Sequence, residues 1–282
     1  MKAKPFLKWV GGKRQLLNEI DKKISQIEYN KYFEPFVGAG AVLFFLSPRY
    51  ARINDTNLEL INVYRTIKDS SDKLVTKLKY HKNRHSKEYF YSIREKDRKS
   101  SFNRWGNISR AARTIYLNKT CFNGLYRVNR KGEFNTPFGK YRNPNILDKE
   151  NIQMVSEFLN KNDIEMTNDD FSVAVRGAQA GDLVYFDPPY DTVSETSSFT
   201  EYTAGGFTKH DQGRLKCLVD DLTRRGVYVL LSNSATDYIL NLYREYEPHT
   251  KIVSANRTIN SNPKKRGKVQ EVLIDNFDQI RR

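Results

Sequence analysis

Apolar residues at Leu16, Leu17, Ile20, Ile24 and Ile27 recur with helical spacing and predict a helix over RQLLNEIDKKISQI (14–27). The next stretch, KYFEPFVGAGAVLFFL, changes period. It reads as a short strand through Phe33, a turn at Gly38 and Gly40, and a helix carrying Val42 to Leu46. ARIND is a second strand ending on a carboxylate, followed by the helical pattern NLELINVYRTIKD. This β–α–β–α succession predicts an open, mainly parallel sheet that receives ligands at the carboxyl ends of its strands. The alternation pauses after residue 70 and resumes with strands DIEMT, DLVYFD, VYVLLSN, HTKIVSA and KVQEVLIDNF, with helices at 209–225 and near 236–244. The last two strands, joined by loop 256–268, are expected to pair antiparallel at the edge. The result is a doubly wound α/β sheet, mostly parallel with one antiparallel edge strand.

The interruption has its own character. Residues 71–145 show helical patterns near 72–84, 87–98 and 107–120, then a Gly-, Asn- and Pro-punctuated stretch from Asn123 to Asn145 that reads as a hairpin or structured loop. The expected organisation is a ligand-binding α/β domain made of 1–70 and 146–282, with a mainly helical basic domain, 71–145, inserted in it. No internal repeat is visible, and SETSS is the sole low-complexity tract.

Charge sharpens this division. Of 282 residues, 48 are basic and 33 acidic, a net of +15. Residues 1–76 carry +5, residues 77–150 carry +13 from 19 basic and 6 acidic side chains, and residues 151–282 carry −3. Aromatics interleave with the cations in KLKYHKNRHSK and YRVNRKGEF. That mixture suits a polyanion with stacking bases, since cations release counterions from phosphates while rings stack. No run approaches the roughly 20 apolar residues of a membrane span, and no signal-peptide h-region follows the start, so a cytoplasmic, nucleoid-associated protein of a bacterial or phage-infected cell is expected. Cys121 and Cys217 are too few for a disulfide framework or a cysteine-rich zinc site. His81 and His85 lie i, i+4, but Lys82 rather than Glu follows His81, so two exposed histidines on a basic helix are expected and no metal.

Two clusters carry candidate chemistry. FEPFVGAG (33–40) follows a strand, and Asp55 ends the next one; glycines admit a close ligand and a carboxylate there can accept from ribose hydroxyls. Gly11-Gly12-Lys13 lacks the spacing of a nucleotide phosphate loop. The second cluster, Asp187-Pro188-Pro189-Tyr190, directly follows the apolar strand LVYF. The prolines end the sheet and present carbonyls outward. Asp187 and a backbone carbonyl near Pro188 could hold the two hydrogens of an exocyclic amine. Its lone pair, otherwise delocalised into a nucleobase, would then turn toward a methyl donor while Tyr190 stacks on the base. An amine inside a duplex is out of reach, so the base would be rotated out first.

FLKWVGGK (6–13), FEPFVGAG (33–40), IND (53–55), FNGLYR (122–127), FNTPFG (134–139) and DPPY (187–190) together resemble the Dam family of S-adenosylmethionine-dependent DNA adenine-N6 methyltransferases, which act on GATC. The likeness spans nearly the whole chain in order. Ala39 departs from it, standing where relatives often have a third consecutive glycine. The resemblance implies a Rossmann-like methyltransferase sheet in the catalytic domain and a target-recognition domain in the insert. It implies S-adenosylmethionine as cofactor, lined by Trp9, Lys13, Phe36, Gly38, Gly40, Asp55, Asp170, Phe171 and Asp187. Asp187, Pro188 and Tyr190 would be catalytic.

On the DNA side the resemblance places Arg127 against a guanine in the major groove. It places Leu125 and Pro137 in apolar base contacts, Phe122 and Asn123 beside the orphaned partner base, Lys8 toward another guanine, and Tyr141 at bases or backbone. Loop 191–206 is expected to order over DNA, and SNPKKRGK (261–268) to add backbone contacts. Double-stranded DNA is the expected partner of a monomer working alone or beside a restriction endonuclease. Two alternatives share these residues: an amino-methyltransferase for another sequence or for cytosine N4, and an inactive DNA-binding module.

Overall fold

The computed structural model describes residues 2–9, 13, 16–191, 206–256 and 268–280. A seven-stranded sheet forms its centre, in the order β3-β2-β1-β4-β5-β7-β6. In chain order these are β1 (Tyr32–Glu34), β2 (Tyr50–Asn54), β3 (Asp163–Thr167), β4 (Leu183–Phe186), β5 (Tyr228–Ser234), β6 (Thr250–Asn256) and β7 (Lys268–Asp275). The first five run parallel. β7 lies antiparallel to both β5 and β6, so the reversed strand sits one place in from the edge, with β6 outside it.

The strands alternate their side chains between two cores. Tyr32, Ile53, Leu183, Tyr185, Leu230 and Leu273 face one core, while Phe33, Val184, Phe186, Val229, Leu231 and Val272 face the other. Both faces are covered, which is why LVYF of β4 is apolar throughout. The first core is closed by α1 (Leu17–Ile24), α2 (Ala41–Leu46), α3 (Leu58–Asn83) and α6 (Lys149–Lys161), and the second by α7 (Phe171–Ala174), α8 (Lys209–Arg224) and α9 (Asp237–Leu242). α10 (Phe277–Ile280) follows β7. α6 carries no mark in the expectations above. Its buried residues Ile152, Val155 and Leu159 keep helical spacing, and Asp148 caps its first turn by accepting from the Asn151 amide.

α3 absorbs two expected helices in one 26-residue element. Asn57 caps it, and Ser70, with non-helical φ −151° and ψ 39°, kinks it. It packs on α5 (Asn107–Thr120) on both sides of the kink, through Glu59 and Asn62 before it and His81 after it. α4 (Lys87–Arg94) and α5 enclose a third, smaller core of Phe90, Ile93, Tyr116, Leu117, Cys121, Tyr126, Phe134 and Ile146. The stretch after α5 doubles back as an irregular hairpin, tied by single bridges between Cys121 and Phe138 and between Val128 and Phe134. His81 differs from its expected exposure. It is buried against this core, its Nδ1 2.8 Å from the Tyr89 hydroxyl, while His85 Nδ1 lies 3.0 Å from that of Tyr116. The ring faces its own helix bundle because Tyr116 stacks on it. No helix among the described residues is long and apolar enough to cross a membrane.

Candidate active site and nucleic-acid interface

The parallel strands deliver the first cluster at their carboxyl ends. Asp187, directly after β4, accepts from the Lys13 ammonium at 2.8 Å and from the Ser232 hydroxyl of β5 at 3.0 Å. Burial pushes its carboxyl above the ordinary aspartate range, and the Lys13 charge opposes that rise. The same ammonium lies 4.4 Å from the centre of the Tyr190 ring. Tyr190 donates its hydroxyl to Glu271 of β7 at 2.8 Å. Pro188 is buried. The turn after it is pinned from β5 and α8. Gln212 donates to the Pro189 carbonyl at 3.1 Å, Asn233 donates to Gln212 at 3.1 Å, and the Asp191 amide donates to Asn233.

Beneath Asp187 lies Glu34, the last residue of β1. Burial raises its carboxyl well above the ordinary range, a Tyr32 hydroxyl donated at 2.9 Å partly offsets this, and the neighbouring Asp187 charge adds to it.

The glycine cluster stands beside this site. Gly38 has φ +50°, and a Cβ there would come 2.8 Å from Trp9 Cδ1, so the indole lies directly on the turn. Gly40, at φ +74°, caps α2. Asp55 accepts from the amides of Gly38 at 3.2 Å and Asn57 at 2.9 Å; burial outweighs both bonds and moves its carboxyl from 3.8 up to about 6. Phe36 stacks on Phe171 at 5.5 Å and meets Phe207 edge-on at 5.8 Å, forming an aromatic wall. Asp170 lies beside this wall. It caps α7 through Ser172 and accepts from Arg214 at 2.8 Å, while that guanidinium covers Phe171.

These groups fit S-adenosylmethionine on their own chemistry. A carboxylate fixed by two amides retains lone pairs for a ribose diol, the glycine turn leaves backbone open to approach, and the phenylalanine wall suits an adenine.

The DNA-side candidates gather on the hairpin after α5. Phe122 and Pro137 are exposed, Asn123 holds a left-handed φ of +55°, and the Phe122 amide donates to the Pro137 carbonyl at 2.9 Å. The Leu125 carbonyl accepts from Thr136 at 2.6 Å. Arg127 donates Nε to Asn135 at 2.7 Å, which orients the guanidinium. Lys8 lies with its ammonium 4.6 Å above the Tyr141 ring. The two clusters meet at Trp9, whose indole touches Gly38 on one side and stacks on Tyr126 at 5.2 Å on the other. Loop residues 192–205 and 257–267 lie outside the described residues.

Several groups in this arrangement escape the sequence reading. Ser232 and Asn233 carry a visible signal, polar residues ending the apolar strand VYVLLSN, and both are fully buried. Asn54 does as well: it joins three strand ends by donating to the carbonyls of Pro35 and Asp169 and accepting from Thr167. Asn118 clamps Lys8 through both backbone groups and holds the Gly124 carbonyl. The buried Arg113–Asp97 pair, 2.7 Å apart, supports the hairpin from behind, since Asp97 also accepts the Phe134 amide. Nothing in sequence spacing marks these last two.

Known proteins give the same assignment. Residues 9–259 match the family described as D12 class N6 adenine-specific DNA methyltransferase. The chain is 46% identical to the type II methyltransferase M1.LlaDCHI of Lactococcus lactis subsp. cremoris over 274 residues, 97% of this chain and 95% of that protein. It is 40% identical to the type II methyltransferase M.MjaIII of Methanocaldococcus jannaschii over 294 residues, covering 98% and 100%. It is 34% identical to the DNA adenine methylase of Escherichia coli over 276 residues, covering 96% and 95%. The chain therefore belongs to the D12 class of N6 adenine-specific DNA methyltransferases.

Proposed function

We propose that the protein transfers a methyl group from S-adenosylmethionine to N6 of an adenine turned out of double-stranded DNA, within GATC. The observation that carries this reading is the Lys13 ammonium, a nitrogen seated 2.8 Å from the Asp187 carboxylate and 4.4 Å from the Tyr190 ring centre. It marks a nitrogen-sized position between an acceptor and an aromatic face. The target amine takes that position when Lys13 turns aside.

When bound, S-adenosylmethionine supplies an electrophilic sulfonium methyl. The chain's own residues do the rest. Asp187 accepts one N6 hydrogen and the Pro188 carbonyl the other, so the nitrogen pyramidalises and its lone pair leaves the ring system. Positive charge then develops on nitrogen beside a buried carboxylate, where electrostatic stabilisation is strong. Asp187, whose proton affinity burial has raised, is in contact to take the released proton. Asp55 holds the ribose, and Phe36 and Phe171 flank the donor's adenine. Arg127, oriented by Asn135, reads a guanine, with Leu125 and Pro137 against thymine methyls. Phe122 and Asn123 fill the gap that the adenine leaves, at a cost of a few kcal/mol for extrusion.

The likeness of FNGLYR and FNTPFG to the Dam pattern supports GATC as target. Similarity to proteins named type II methyltransferases supports a place beside a restriction endonuclease. Incubation with labelled donor and a duplex library, followed by mapping of modified positions, tests substrate and target together. Label confined to adenine N6 in GATC is expected; label at another sequence or another base contradicts the reading.

A further inference from the structure

The reversed strand β7 brings a carboxylate to the site that the parallel strands cannot supply. Its antiparallel direction sets Glu271 opposite Ser234, the last residue of β5, and opposite Val253 of β6. Glu271 is therefore at the carboxyl-end rim of the sheet, although it lies 84 residues after Asp187 in the chain. Its Oε2 accepts the Tyr190 hydroxyl at 2.8 Å, and both side chains are only partly exposed. The hydroxyl oxygen lies on the axis about which the ring turns, so its hydrogen bond fixes where that axis points, and because a phenol O–H prefers to lie in the plane of its own ring, the acceptor's position also biases that plane. The face so presented is the one 4.4 Å from Lys13, toward Asp187.

We infer that Glu271 is a positioning residue: by accepting the Tyr190 hydroxyl it holds the ring in the plane on which the target base stacks, with the amine over Asp187. This rests on the proposed role of Tyr190 as the stacking platform. Glu271 touches no reacting atom. Its acceptor oxygen, rather than its charge, carries the effect, so an amide in its place keeps the function.

The test uses the full-length protein as wild type, Glu271→Ala, Glu271→Gln, Tyr190→Phe and the double variant Tyr190→Phe/Glu271→Ala. Two readouts are taken: the single-turnover methylation rate on a GATC duplex, and the fluorescence of 2-aminopurine at the target position. Glu271→Ala lowers the rate about tenfold, the size expected for the loss of one ordering hydrogen bond. Glu271→Gln stays within about twofold of wild type. In the Tyr190→Phe background, where the hydroxyl is already gone, Glu271→Ala changes the rate by less than about twofold, because the two residues act through one contact. Quenching of 2-aminopurine by the ring weakens in Glu271→Ala and is restored in Glu271→Gln. Equal losses from Glu271→Ala in both backgrounds, or a Glu271→Gln variant as slow as Glu271→Ala, overturns the inference. If wild type itself gives no 2-aminopurine response, the extrusion reading fails, and the rate comparison still decides the role of Glu271.

Discussion

The strand-end site and the recognition hairpin solve opposite problems. At the sheet, three carboxyls crowd the strand ends, Glu34 buried and the other two partly exposed: Asp187, Glu34 and Asp55 all bind protons more tightly than ordinary carboxyls, with burial as the leading cause. On the hairpin, the candidate readers Phe122 and Pro137 face outward, and Arg127 is half-exposed. What is buried there is the support behind them, Arg113 against Asp97 and Asn118 against Lys8. On the proposed reading, chemistry draws on partly desolvated carboxyls, and recognition on exposed groups held by buried struts. Trp9 stands where the two arrangements touch.

That contrast breaks most sharply at Asp187. Asp187→Ala is expected to slow single-turnover methylation ~10³–10⁴-fold, about 4–5.5 kcal/mol, while duplex affinity stays within about twofold. Kinetics and a binding isotherm on the same preparation check this; a parallel loss of binding would merge the two regions. On the other side, Arg113→Met leaves Asp97 with Arg98 at 3.0 Å but takes the donor from the Ile93 and Arg94 carbonyls, and should destabilise the protein by about 2–3 kcal/mol, read from denaturant unfolding. A cost under about 1 kcal/mol would mean that the hairpin does not depend on the strut.

Smaller effects sharpen the division. Arg127→Ala should cost about 1–3 kcal/mol of discrimination at one guanine and leave other positions untouched. Uniform weakening across sequences, measured with single-base variants of the site, would make Arg127 a phosphate contact. Asp55 gives the gentlest signal. Its folded carboxyl titrates at about 6 against 3.8 for the ordinary group. Donor affinity should therefore fall by up to tenfold per pH unit below about 6, as the acceptor for the ribose is protonated. The stability effect has the opposite sign: a raised carboxyl favours the folded state at low pH and loses that contribution as pH rises from about 4 to about 6. Weakened donor binding at pH 5 is thus not unfolding driven by Asp55, and Asp55→Asn should flatten the profile.

Sequence reading succeeded where a local pattern has one physical meaning. LVYF is apolar at every position because both faces of β4 are covered, and DPPY follows it directly, its prolines ending the strand. The turn at Gly38 and Gly40 was readable because positive φ selects glycine. Where meaning depends on partners far along the chain, the pattern is silent. Ser70 does not announce a kink, and the helix bridging both regions reads as two. His81 looked like a solvated helix residue because its burial depends on Tyr116, 35 positions later. Glu271 belongs to an edge-strand pattern, and only the reversal of β7 places it beside Tyr190.

On the proposed mechanism, Asp187 and the Pro188 carbonyl grip the amine of an extruded adenine. A crystal structure of the protein with a GATC duplex and a non-reactive donor analogue measures it directly. The account predicts N6 within about 3 Å of both acceptors and the adenine ring on Tyr190, with Lys13 displaced from the carboxylate. An adenine still paired inside the duplex, with the analogue bound and Lys13 still on Asp187, would contradict it.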